Sequence, residues 1–111
     1  MCVFCDIIAG KIPSDTVYED EDMKIIKDLH PQAKIHLLLL PKEHYANIIE
    51  MSAEQAATLA KCIKKLSGMT DELGLTDGFR LVSNKGQNGC QSVEHLHIHV
   101  LGGEQLADRM A

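Results

Sequence analysis

Glu94-His95-Leu96-His97-Ile98-His99-Val100 sets three imidazoles two residues apart with apolar side chains between them. An extended chain turns alternate side chains to opposite sides. The spacing therefore predicts a strand over residues 92–101, with Leu96, Ile98 and Val100 toward a core and His95, His97 and His99 along one edge of a site. Histidine is a middling strand former and neighbouring charged rings repel, so a row of them points to chemistry rather than to folding. The chain has six histidines, and half of them stand in this run. A plain polar strand face would more ordinarily carry Thr, Lys or Glu.

Working outward, Asn84-Lys85-Gly86-Gln87-Asn88-Gly89-Cys90-Gln91-Ser92 feeds directly into that strand. Its glycines would let backbone N–H groups approach an anion closely, and Asn84, Gln91 and Ser92 add neutral donors. Such a segment is as readily a simple turn, and its position before the histidines is what singles it out. Residues 79–83 read as another strand. Ser52 and Gln55 fit a capping box, behind which Ala56, Leu59, Ala60, Ile63, Leu66 and Leu73 recur at helical spacing, predicting a helix from 53 to about 73 ended by Gly74. Strands are expected over 16–19, 23–28 and 34–40, the first two joined as a hairpin by Asp20-Glu21-Asp22. Residues 37–40 are continuously apolar, as in a central strand covered on both faces, and Pro41 should stop it. A short helical turn over 5–9 precedes Gly10. These elements describe an α+β fold: a five-stranded antiparallel sheet with one long helix and a short N-terminal helix.

A length of 111 residues suits one domain, 1–111, with a single core. Sixteen acidic residues against eleven Lys and Arg argue against a nucleic-acid groove, although a small anion could still bind locally. The longest apolar run, residues 35–40, is too short for a bilayer span, and the N-terminus lacks the basic and long apolar segments of a secretory signal, so a cytoplasmic protein is expected. Its four cysteines should then be reduced, and Cys2 and Cys5 form a Cys-x-x-Cys pair of the kind used for metal or redox chemistry.

A catalytic metal held by all three rings meets a geometric obstacle, because a strand places the Cα atoms of His95 and His99 about 13 Å apart. Nucleophilic catalysis suits the spacing better. One neutral imidazole attacks an electrophile while its neighbours hold protons against the developing negative charge. With an ordinary pKa of about 6.5, clustering keeps at least one ring neutral near pH 7.

The run from Gln91 through Val100 and Leu101 resembles the His-x-His-x-His-x-x signature of the histidine-triad superfamily. The likeness extends through Asp28-Leu29-His30-Pro31-Gln32-Ala33, Ile35-His36-Leu37 and Leu40-Pro41-Lys42-Glu43-His44. It is nearest to the histidine-triad nucleotide-binding branch, which are purine nucleoside phosphoramidases and usually homodimers. The resemblance implies a catalytic set of His95, His97, His99 and Ser92. In it His97 attacks the α-phosphorus to form a nucleotidyl-histidine that water hydrolyses. His36 and His99 would contact phosphate, and Asn84, Gln91 and Ser92 would surround the α-phosphate and leaving group. Asp28 would accept hydrogen bonds from ribose hydroxyls, as an acceptor-only carboxylate can. Val3, Phe4, Ile7, Ile26 and Leu29 match the positions that sandwich the purine, and each is equally a core residue.

Some bacterial members hold a structural zinc with the positions that are here Cys2, Cys5, His44 and His95, and no catalytic metal is implied. Two free thiols or a redox pair are the competing readings of Cys2 and Cys5. Cys62 reads as helix core or surface, Cys90 as a loop thiol and His30 as a turn residue. After Gly102-Gly103 the chain lacks the tryptophan and prolines that close the site in animal members, and Ile26 stands where some have an aromatic. Three functions follow: a phosphoramidase, a dinucleoside polyphosphate hydrolase with the same nucleophile, or a nucleotide-binding, zinc-stabilised interaction protein whose turnover is incidental.

Overall fold

The computed structural model describes residues 2–109; positions 1, 110 and 111, the last two belonging to the divergent C-terminus, lie outside the described residues. Helix α1 (Val3–Ile8) precedes strands β1 (Thr16–Glu19), β2 (Met23–Lys27) and β3 (Ile35–Pro41). Helix α2 (Ala53–Ser67) and strands β4 (Phe79–Ser83) and β5 (Ile98–Gly102) complete the chain. The strands form one antiparallel sheet in the order β1-β2-β3-β5-β4, the α+β arrangement expected from the sequence.

Strand alternation divides the apolar residues between two layers. Met23, Ile25, Leu37, Leu39, Ile98 and Val100 pack with Leu59, Cys62 and Leu66 of α2. Ile26, Leu38 and Leu40 face the other way and pack with Phe4 and Ile7 of α1. β3 is accordingly buried on both faces, and Cys62 belongs to the core. By the same alternation His36 and His99 fall on the α1 side, beside Leu38.

Two expected boundaries are corrected. The long helix stops at Ser67 and not near Leu73. Gly68 caps it with an αR backbone and donates to the Lys65 carbonyl at 3.0 Å, tightening the last turn. A separate turn follows, closed by Leu73 N–H on the Met69 carbonyl at 3.0 Å, which is why Leu73 still reaches the core at helical spacing. The histidine strand is also shorter than residues 92–101. Its ladder with β3 ends at the Leu39–Ile98 pair, so His95 and His97 precede the strand and only His99 lies within it. Continuing that register would set Leu96 opposite Pro41, which has no N–H to give. Leu96 N–H bonds instead to the Tyr45 carbonyl at 2.7 Å. The start of β3 at Ile35 and the end of β2 at Lys27 differ from expectation by one residue each. Pro41 closes β3 opposite Met23 instead of lying beyond it, and α1 spans Val3–Ile8 rather than 5–9 because Cys2 caps its start.

The β1–β2 hairpin is organised by one carboxylate. Asp20 accepts from the backbone N–H groups of Asp22 and Met23, the Tyr18 hydroxyl and the Lys65 ammonium, all within 2.8–3.0 Å. Burial would raise its pKa, but these donors prevail and hold it well below the ordinary 3.8. Replacing Asp20 with alanine should lower stability at pH 7 by about 1–3 kcal/mol in urea titrations. Because the folded pKa is depressed, that contribution is complete above the ordinary value and lost as pH falls. The gap between wild type and variant should therefore narrow steadily below about pH 4.

Candidate active site and metal centre

Where the ladder ends, the Pro41 carbonyl is left without a strand partner, and His95 Nε2 lies 2.8 Å from it. A carbonyl only accepts, so the ring proton sits on Nε2 and the Nδ1 lone pair is free. That lone pair is turned to Cys2 Sγ at 3.4 Å, Cys5 Sγ at 3.5 Å and His44 Nδ1 at 3.1 Å. Cys5 Sγ is in turn 3.3 Å from His44 Nδ1. A tetrahedral ion with zinc-like bond lengths requires ligand separations of about 3.3 Å for N···N and about 3.6 Å for S···N, close to those found. The second ring nitrogen of His95 already rests on a carbonyl, the outer contact that ligating histidines make. The four residues predicted as metal ligands thus converge, and two thiols with two imidazoles fit a tetrahedral metal.

His97 shows the opposite arrangement. Its Nδ1 lies 2.7 Å from the His95 carbonyl and must carry the proton, which leaves Nε2 as the lone pair of the neutral ring. The ring is buried, with Phe4 edge-on at a centroid distance of 4.9 Å and His99 at 5.1 Å. The expected row of three imidazoles is therefore a row of two. His95, 0% exposed, turns to the cysteines, while His97 and His99 stay together.

A chain of donors fixes His99. The Gln32 N–H donates to His36 Nδ1 at 3.0 Å, placing the His36 proton on Nε2, which lies 2.9 Å from His99 Nδ1. His99 accepts there and carries its own proton on Nε2. Burial lowers the pKa of both rings, the neighbouring His97 and His36 rings lower that of His99 further, and Asp28 opposes the shift in each. Asp28 Oδ2 lies 3.5 Å from His36 Nε2. Asp28, His36 and His99 are also close enough for a metal. However, the Gln32 N–H occupies the nitrogen that would have to bear a proton if Nε2 were a ligand, so a hydrogen-bond relay fits this trio better.

Beside the relay, on the α1 face, is a cavity of about 280 Å³ whose walls include Val3, Phe4, Ile7, Ile26, Asp28 and Leu29, all predicted to meet a nucleoside. Ile12, Pro13 and Leu38 also line it and were not anticipated. Pro13 after Gly10 reads only as a break, and Leu38 reads as strand core. Ser92 opens onto a second groove of about 510 Å³ with Val3, His44 and Glu94. Asn84 and Gln91 turn their amides to the Gly89 carbonyl at 2.6 Å and the Ala46 carbonyl at 2.6 Å, bracing the loop. Cys90 is an exposed loop thiol at φ 59°, and His30 lies in an exposed bend.

The HIT domain profile matches residues 9–106. The chain belongs to the HIT domain family. Protein HitA of Neisseria gonorrhoeae is 45% identical over 101 residues, covering 91% of this chain and 94% of HitA. The crystal structure of a HIT family hydrolase from Legionella pneumophila Philadelphia 1 superposes with a TM-score of 0.92 at 37% identity, covering 98% of each chain. A Zn-bound histidine triad family protein from Mycobacterium smegmatis has a TM-score of 0.80 at 31% identity, covering 99% of this chain and 79% of that one. In this HIT domain protein no helix of the described residues is long and apolar enough to cross a membrane.

Titrating Co²⁺ into metal-free protein should give intense tetrahedral d–d bands with thiolate charge transfer at one equivalent, lost on replacing Cys2 and Cys5 with serine. Weak six-coordinate bands would contradict the four-residue centre.

Proposed function

We propose that this HIT domain protein, residues 1–111 as one domain, is a cytoplasmic, homodimeric purine nucleoside phosphoramidase. It would hydrolyse the P–N bond of adenosine 5′-monophosphoramidate-type substrates. The observation that carries the reading is the 2.7 Å bond from His97 Nδ1 to the His95 carbonyl, which leaves Nε2 with a free lone pair as a nucleophile. His97 Nε2 bonds to the α-phosphorus as the P–N bond breaks, and the departing nitrogen takes a proton from solvent to leave as the amine. Water then displaces the histidine, releasing nucleoside monophosphate. The Nε2–H of His99, held by His36, donates to a phosphoryl oxygen, and Ser92 faces the leaving group from the loop braced by Asn84 and Gln91. The purine lies against Val3, Phe4, Ile7, Ile26 and Leu29, and Asp28 accepts the ribose hydroxyls.

Zinc would be the ion held by Cys2, Cys5, His44 and His95, and it would be structural, because four protein ligands leave no open position. The groove beside Ser92 carries Glu94 and no Lys or Arg among its described lining residues, which favours an amine over a polyphosphate as leaving group. A second copy would add at the open edge strand β4, where Phe79 and Leu81 stay exposed.

Replacing His97 with alanine should reduce kcat by about 10³-fold or more while leaving adenosine 5′-monophosphate affinity within about threefold. Retained turnover sinks the assignment. Dinucleoside polyphosphate outcompeting the phosphoramidate would move it to the polyphosphate hydrolases, and a kcat/KM below about 10⁴ M⁻¹s⁻¹ on every phosphoramidate favours a binding protein. Since burial lowers the pKa of His36 and His99, the acid limb of the kcat/KM profile should fall below pH 6.5, the ordinary histidine value. A limb at or above that value would contradict the relay.

A further inference from the structure

Lys24 lies in β2 between apolar neighbours and is only 8% exposed. Burying an ammonium is unfavourable unless it is paired, yet among the described residues no carboxylate lies within 4.0 Å of it. Its Nζ donates to the Ile7 carbonyl at 2.9 Å. Ile7 is in the last turn of α1, where the helix dipole is negative, and its carbonyl also accepts from the Gly10 N–H at 3.1 Å, so Lys24 holds the helix end and the turn that follows it together. A helix of six residues has little stability of its own and takes its position from its anchors. One anchor is the metal cluster, through Cys2 and Cys5 at the N-terminal end. Lys24 is the other.

Between these anchors α1 presents Phe4 and Ile7, which wall the 280 Å³ cavity, and Phe4 also packs edge-on against the His97 ring. Of its two cross-strand partners Leu40 is apolar and Glu19 of β1 is acidic, but the Glu19 carboxylate lies beyond 4.0 Å and pairs with Lys42, so the hydrogen bond that the ammonium makes is the one to α1. We propose that Lys24 is a positioning residue for nucleotide binding: its ammonium fixes the C-terminal end of α1 so that Phe4 and Ile7 stand at the spacing a purine requires. The inference rests on the nucleotide reading of the cavity.

The test compares metal-loaded wild type, Lys24→Met, which keeps length without the donor, and Lys24→Arg, which keeps a donor. Three readouts apply: adenosine 5′-monophosphate affinity by calorimetry, KM and kcat on the phosphoramidate, and hydrogen exchange at the amides of Asp6 in α1 and of Ala9, its C-cap. Lys24→Met should raise Kd and KM about tenfold, change kcat less than twofold and speed α1 exchange, the scale of one charge-assisted hydrogen bond. Lys24→Arg should restore all three to within about threefold of wild type. Should Lys24→Met not fold, Lys24→Gln replaces it with the same expectations at smaller amplitude. Unchanged affinity with the donor removed, a fall in kcat equal to the rise in KM, or an arginine variant as weak as methionine overturns the proposal. Wild type that binds no purine nucleoside monophosphate removes the nucleotide reading itself, a failure told apart because it needs no variant.

Discussion

Two carbonyl groups decide what the histidine run can do. The carbonyl of Pro41 takes the proton of His95 on Nε2, and the carbonyl of His95 takes the proton of His97 on Nδ1. Adjacent members of one motif are thereby set in opposite tautomers. One offers Nδ1 to the cysteines and His44, and the other keeps Nε2 free. Because a neutral imidazole has a single N–H, each choice follows from which nitrogen meets an acceptor. The candidate metal centre and the proposed nucleophile thus draw on the same backbone segment.

The rest of the architecture serves this segment. The sheet places His36 and His99 on the α1 face, where their 2.9 Å contact passes the orientation set by the Gln32 N–H to the ring beside His97. The α1 helix and its N-cap close the same face with residues of both kinds, candidate ligands at Cys2 and Cys5 and cavity walls at Phe4 and Ile7. The other face is committed to α2 and the main core, so burial there stabilises the sheet without competing for the site.

Much of this was legible from alternation and spacing. Period-two patterning located the strands, the Ser52–Gln55 box located the start of α2, and the resemblance brought four distant candidate ligands together. The misreadings share a cause, in that a local period persists where the hydrogen-bond ladder or helix does not. His95-Leu96-His97 keeps strand-like alternation, but the proline opposite Leu96 ends the pairing, and the released chain turns His95 out of the row. Leu73 continues the period of α2 across Gly68 although the helix has ended. Lys24 could not be found from sequence, because a lysine in a short strand reads as its solvent-facing position until α1 is seen to cover it.

The central claim is the pair of opposite tautomers, and two-bond ¹H–¹⁵N correlation spectra of the imidazoles in metal-loaded protein at pH 7 test it directly. His95 should show a protonated Nε2 with Nδ1 at a metal-bound shift, and His97 a protonated Nδ1 with an unprotonated Nε2. A His97 ring protonated on Nε2, or on both nitrogens, would contradict the account.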